Sequence, residues 1–299
     1  MTHPSPRDQA KGLVLAVLGV LILTPDTLIM RLVGAEPWTT LFWRGAMMTV
    51  GFVLLALVWY RGRTVAAIRA IGGLGLLISV IWTCNTVFFV VSISLTSVAN
   101  TLIIVALAPL FAAVIGIAAL GEPVRPRTWL AIAVAFAGIA VIFADGWRTG
   151  ALVGDLAAVG TAVGLAAHFV LVRAARPVDM TPAVGLSGIT TALAGLVGAH
   201  SLALPPEGVL MMAGLGILIL PLSFAMITLA PLYIPAAEVS LVLLLETVLG
   251  PLWVWLALAE DPGPRTLIGG GVVLAALLLH SALSLRASRQ QRRAAAPAL

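Results

Sequence analysis

The chain predicts an all-α integral membrane protein of ten transmembrane helices, built as two inverted five-helix repeats. Composition is the first reason. Hydrophobic residues make up 61% of the 299 and charged residues 10%, with a mean hydropathy of +1.12. A soluble domain is about half apolar and a quarter charged. The second reason is internal repetition: Glu122 with Pro126-Arg127-Thr128 and an apolar helix recurs at an offset of 138 as Glu260 with Pro264-Arg265-Thr266 and an apolar helix. The third is the placement of basic residues, which depends on the spans taken in order.

Ten apolar stretches are long enough to cross roughly 30 Å of hydrocarbon as helices. The first, 11–33, follows Lys11 and runs past 20 residues without a small-residue cleavage site, so it reads as a retained helix rather than a signal peptide. Within it, Pro25 removes a backbone donor beside Asp26, and Thr24 and Thr27 flank the pair as a hinge or small polar pocket. The second, 37–60, carries Arg44 about seven residues from one end, a depth matching that of Asp26, so the two are placed to pair. The third, 71–93, sets Trp82, Asn85, Phe89 and Ser92 on one face, an arrangement of rings and amide suited to an amphipathic ligand. The fourth, 96–119, holds Ser97, Asn100 and Thr101 and is interrupted by Pro109; the fifth, 127–145, is Ala-rich around Gly138.

The second set mirrors the first. Span 153–174 contains His168, which falls opposite Asp26 at an offset of 142 and titrates in a range suited to proton coupling. Span 181–203 follows, then 208–232 with Pro221, Ser223, Phe224 and Thr228. Span 236–258 carries Glu246 near its middle and Pro251 beyond it; 265–285 opens with Gly269-Gly270-Gly271. Small residues in the fifth and tenth spans permit close backbone approach, for scaffolding or a homodimer contact. The repeats therefore cover 11–145 and 153–285, with a basic tail at 286–299. Polar groups at membrane depth are costly and face a partner or a cavity. Trp82, Asn85, Phe89, Asn100, Phe224 and Glu246 are accordingly the candidate substrate-binding residues. Asp26, Arg44 and His168, with the helix breakers Pro25, Pro109 and Pro221, are the candidate coupling or gating residues. Glu122 and Glu260 are expected to pair with nearby arginines or to position the next helix, and His200 and His280 to serve structure.

With the N-terminus placed in the cytoplasm, 13 of the 17 basic residues fall in cytoplasmic segments and only Arg31, Arg148 and Arg265 in external ones, leaving Arg44 within a helix. This positive-inside bias puts both termini in the cytoplasm and supports an even helix count. The pI of about 10.6 reflects orientation and contact with anionic lipid rather than nucleic acid. Cys84 is the single cysteine, which excludes an internal disulfide framework and cysteine-rich metal sites. No phosphate-binding G-x-x-x-x-G-K-[ST] occurs and Lys11 is the only lysine, which excludes ATP-driven pumping by this chain. The histidines are scattered at 3, 168, 200 and 280, with no spacing for an intramembrane protease or acyltransferase.

The ordered set of Leu120-Gly121-Glu122 with its echo Leu258-Ala259-Glu260, proline at 109, arginine at 44 and two five-helix repeats resembles the EamA-type branch of the drug/metabolite transporter superfamily. Ala259 stands where the family has glycine and Thr247 where it has proline. The resemblance implies a multi-pass protein of the bacterial inner membrane that exports or exchanges a small organic metabolite by alternating access, without a cofactor, as monomer or homodimer. Duplicated bundles of odd helix number insert in opposite orientations, the usual architecture of carriers. Amino acids with apolar or aromatic side chains are the first expectation for substrate. Other metabolites, cationic drugs and a passive small-solute channel are the alternatives.

Overall fold

The structure is a computed structural model that describes residues 6–120, 126–175, 178–230, 233 and 236–294. The described residues are helical, without a strand. The first predicted span is two helices, α1 (Pro6–Leu23) and α2 (Asp26–Val33), separated at Pro25. Thr24 closes the break by donating its hydroxyl to the Leu21 carbonyl at 2.9 Å, and Trp253 Nε1 donates to the same hydroxyl at 3.2 Å. Gly34 ends α2 at φ +58°, a left-handed position that suits glycine.

Next come α3 (Pro37–Tyr60), the short α4 (Thr64–Ala70) and α5 (Gly72–Leu95). The fourth predicted span also divides, into α6 (Val98–Val105) and α7 (Ala108–Leu120), one turn before the proline ring of Pro109 would meet the preceding carbonyls. Ser97 caps α6 by accepting the Asn100 N–H at 3.1 Å. The chain continues through α8 (Pro126–Thr149), α9 (Leu152–Ala174), α10 (Thr181–Gly198) and α11 (Pro206–Ala213). A π-helical stretch, Gly214–Ile219, leads into α12 (Leu220–Leu229), then α13 (Ala236–Leu258) and α14 (Pro264–Ala294).

Among the described residues, seven stretches are long and apolar enough to cross a membrane, and three shorter apolar ones lie at Trp129–Ile142, Val242–Leu258 and Pro264–Leu279. The protein is therefore an all-helical multi-pass membrane protein. Several expectations are corrected. The seventh span stops at Gly198 rather than 203, where Ala199 turns extended ahead of Pro205-Pro206. The basic tail is continuous with α14 as far as Ala294; residues 295–299 lie outside the described residues, as do Glu122 and the side chain of His280.

Packing runs across the midpoint of the chain. The most extensive helix pairings are α3 with α10, α5 with α9 and α8 with α14, and each joins the first half to the second. Small residues make this possible. A Cβ added to Gly45 would lie 2.6 Å from the Gly188 carbonyl oxygen, so α3 and α10 touch backbone to backbone. Gly138 and Gly269 do the same for α8 and α14. The glycine faces offered above for scaffolding or dimer contact are thus used within the chain. One apolar core centres on α1, α2, α3, α5 and α12, and a second on α6, α7, α8, α9 and α14. Large apolar side chains such as Leu57, Val58, Leu130, Leu210 and Leu256 point outward, as a lipid-facing surface requires.

Candidate functional site

The break at Pro25 frees the first turn of α2 and points Asp26 into the bundle. Its carboxylate is 2% exposed and meets Arg44 of α3, which is 4% exposed. The contact is bidentate: Arg44 Nη1 donates to Oδ1, and Nη2 to Oδ2 at 2.7 Å. The guanidinium also donates to Met30 Sδ at 3.4 Å and stands 5.7 Å from the ring centre of Phe89 on α5. A charge-assisted fork with a stacked ring is the arrangement that best compensates a buried arginine. The pairing expected from equal membrane depth is present.

Glu246 is half-buried on α13, which packs against α2, the helix that carries Asp26. It makes no hydrogen bond or ion pair among the described residues. The ion pair comes from the first half of the chain and Glu246 from the second.

A second group lies beside the first. Trp82 on α5 stacks on His168 of α9 with ring centres 4.3 Å apart and meets Phe224 of α12 edge to face at 5.1 Å. His168 is 2% exposed. Its Nδ1, and Oδ1 of Asn85 one turn along α5, are buried without a hydrogen-bond partner among the described residues. Such orphaned polar atoms are costly unless something polar reaches them. Phe89 and Phe224 are half-buried, leaving ring surface accessible beside this polar cluster. His168, which the sequence offset of 142 sets opposite Asp26, is thus joined to the aromatic group rather than to the ion pair.

Asn100 is not part of that group. It belongs to a polar lock at the end of the bundle opposite the N-terminus. Asp155, fully buried in the first turn of α9, accepts from the Thr96 hydroxyl at 2.7 Å and from Asn100 Nδ2 at 3.3 Å. The Thr266 hydroxyl of α14 donates to Asn100 Oδ1 at 2.6 Å. Arg31 of α2 donates to the Thr96 carbonyl at 2.6 Å and pairs with Glu260 at 3.2 Å, while the Val98 N–H also donates to Glu260. Glu260 thus pairs with an arginine as expected. Asp155 and Thr96 were not singled out in the sequence, and Thr266 only as part of the repeated motif: an acidic residue three positions into a span looks like an ordinary helix end. The signal that could have found them was their common location at the ends of spans that meet on one side of the bundle.

None of the six predicted substrate-binding residues lines the cavity of about 200 Å³ that lies at the other end, between α3, α4, α10 and α12. That cavity has no polar signature legible in the sequence, because its lining is almost wholly apolar. No cluster of His, Cys, Asp or Glu suited to a metal ion occurs among the described residues.

Residues 10–144 match the EamA-like transporter family. No curated protein matches the chain. Among solved structures, one described only as a crystal structure of a protein aligns at a TM-score of 0.64. It is 20% identical, and the alignment covers 93% of this chain and 98% of the other. An identity that low speaks for a shared fold.

Proposed function

We propose that this chain, whose residues 10–144 belong to the EamA-like transporter family, is a secondary transporter. In this reading it exports or exchanges a small amphipathic metabolite, with apolar or aromatic amino acids as the first substrate class to test. Its ten helices form two inverted five-helix repeats, 11–145 and 153–285, and alternate access between two sides of a bilayer. The carrying observation is the juxtaposition of the Asp26–Arg44–Glu246 charges with the Trp82–His168–Phe224 rings. An amino acid brings an ammonium, a carboxylate and an apolar side chain. Glu246 suits the ammonium, Asn85 Oδ1 and His168 Nδ1 offer further polar contacts, and the rings suit the side chain.

The polar lock around Asp155 acts as the closed gate in this conformation. It joins Arg31, Thr96 and Asn100 of one repeat to Asp155, Glu260 and Thr266 of the other, and opening would exchange these hydrogen bonds for water. Both termini are cytoplasmic by the distribution of arginines, which makes the lock external. Counterflow in proteoliposomes tests the proposal. Unlabelled leucine or phenylalanine inside should accelerate uptake of the labelled amino acid, and uptake should saturate. Uptake that neither saturates nor responds to internal substrate indicates a channel. Failure of every amino acid, with saturable transport of a cationic drug, replaces the substrate class but keeps the carrier.

A further inference from the structure

The apolar cavity at the N-terminal end of the bundle belongs to neither the charged centre nor the polar lock. It encloses about 200 Å³ between the last turns of α3, the short helix α4, the first turns of α10 and the end of α12. Its walls include Phe52, Ala56, Leu57, Ile68, Leu186 and Ile189. Leu57, Ile68 and Ile189 are exposed on the outer surface, so the cavity opens sideways, towards hydrocarbon in a membrane. An apolar hollow offers water few hydrogen bonds and stays dry. In a bilayer the available apolar filler is an acyl chain.

The rim says which lipid. Tyr60 and Thr64 line the cavity, and between them the chain turns through Arg61 at φ +43° and Gly62 at φ +85°. This turn presents Arg61 and Arg63 to solvent, and Arg69 follows at the end of α4. These three side chains are exposed and make no ion pair among the described residues. The carboxylate at this rim, Asp179, is already engaged: it accepts from the Tyr60 hydroxyl at 2.7 Å and from the Thr181 N–H at 2.9 Å. Trp59, exposed beside Tyr60, has the ring that favours the headgroup boundary. Val65 and Ile68 of α4 are exposed as well, so this helix offers apolar residues to the membrane between flanking arginines.

From these features we infer that the cavity is a binding site for an anionic phospholipid. One acyl chain lies between α3 and α10, and the phosphate sits on Arg61 and Arg63. The occupancy steadies the turn that joins α3 to α4. An annular lipid held only by general contact would show no headgroup preference, whereas this site discriminates through the arginines.

Native mass spectrometry of the full chain tests this, after extraction from membranes containing phosphatidylglycerol and phosphatidylcholine in equal amounts. The wild type should retain phosphatidylglycerol in preference to phosphatidylcholine. Arg61→Gln and Arg63→Gln should each lower retained phosphatidylglycerol roughly fivefold, the effect of one surface charge near a headgroup. Ala56→Phe, which fills the cavity without touching charge, should abolish retention of either lipid at the site. Arg289→Gln, in the basic α14 extension, should change nothing. Equal retention of the two lipids, unchanged in all variants, overturns the proposal. So does loss in Ala56→Phe alone, which would make the cavity an acyl pocket blind to the headgroup. Displacement of the lipid by a transported amino acid would also overturn it and mark the cavity as a substrate portal.

Discussion

Arg44 is the least dispensable charge in the molecule, because α3 carries it into the apolar core with Asp26 as its carboxylate partner. Truncating Asp26 leaves a guanidinium buried and unpaired, which costs about 3–5 kcal/mol in soluble examples, whereas replacing both partners by apolar groups can be neutral. Asp26→Ala is therefore expected to lower the thermal transition in detergent sharply. Asp26→Leu combined with Arg44→Met should recover most of the loss without restoring transport; equal loss of stability in the double variant would contradict this account. Glu246→Gln keeps shape and removes charge from a group that holds nothing in place. It should leave the thermal transition within about 1 kcal/mol of wild type and reduce amino-acid counterflow at least tenfold. Unchanged counterflow would remove Glu246 from the site. Ala259 poses a smaller question. It adopts φ +53° after α13, a left-handed conformation costly for a residue with a Cβ, so Ala259→Gly should stabilise by up to about 1 kcal/mol in a thermal melt. This position was legible in the sequence as a departure from glycine. Asp26 and Arg44 were legible from their equal depth, and Trp82 and Asn85 from helical spacing. Asp155 was not, because its meaning depends on Thr96 and Asn100, more than fifty positions earlier, and their convergence belongs to tertiary structure.

At the scale of elements, the spans were readable because hydrocarbon demands one long apolar run per crossing, and eight of their boundaries fall within a few residues of 11–33, 37–60, 71–93 and 236–258. Their interruptions were readable only where proline marks them. Pro25 and Pro109 announce the breaks before α2 and α7. Pro221, two residues beyond the π-helical stretch 214–219, marks that irregularity too, since it has no N–H for the Ile217 carbonyl, and the stretch packs on α3, where a Cβ on Gly216 would meet Met47 and Met48. Helix α4 escaped because seven residues between two spans carry no hydrophobic period. What the sequence pattern understated most is how closely elements approach. Gly45 shows the consequence. Any side chain there must force α3 and α10 apart, an overpacking cost of about 1–3 kcal/mol. Gly45→Val should broaden or lower the thermal transition, while Gly271→Val, where a Cβ meets nothing within 4 Å, should not. Equal behaviour of the two variants would show that the α3–α10 contact is looser than drawn.

Interleaving decides what can move in the whole molecule. If each repeat were a separate body, alternating access would slide 11–145 against 153–285. The tightest contacts instead join α3 to α10, α5 to α9 and α8 to α14, so in the proposed cycle any moving body would contain helices from both halves of the chain. The places that can part are those held by exchangeable polar groups rather than by backbone contact. The lock of Arg31, Glu260, Thr96, Asn100, Asp155 and Thr266 is such a place, since water can satisfy each of its groups once it opens. This gives a direct test of the gate. In a Cys84→Ser background, Arg31→Cys with Glu260→Cys can be joined by a short bis-methanethiosulfonate reagent, which holds α2 to the segment before α14. Joining should reduce counterflow at least tenfold, and a reducing agent should restore it. Each single cysteine variant treated in the same way should keep its flux, which separates cross-linking from loss of the Arg31–Glu260 pair. Full flux in the cross-linked protein would mean that this end stays closed throughout the cycle and that substrate leaves by another route.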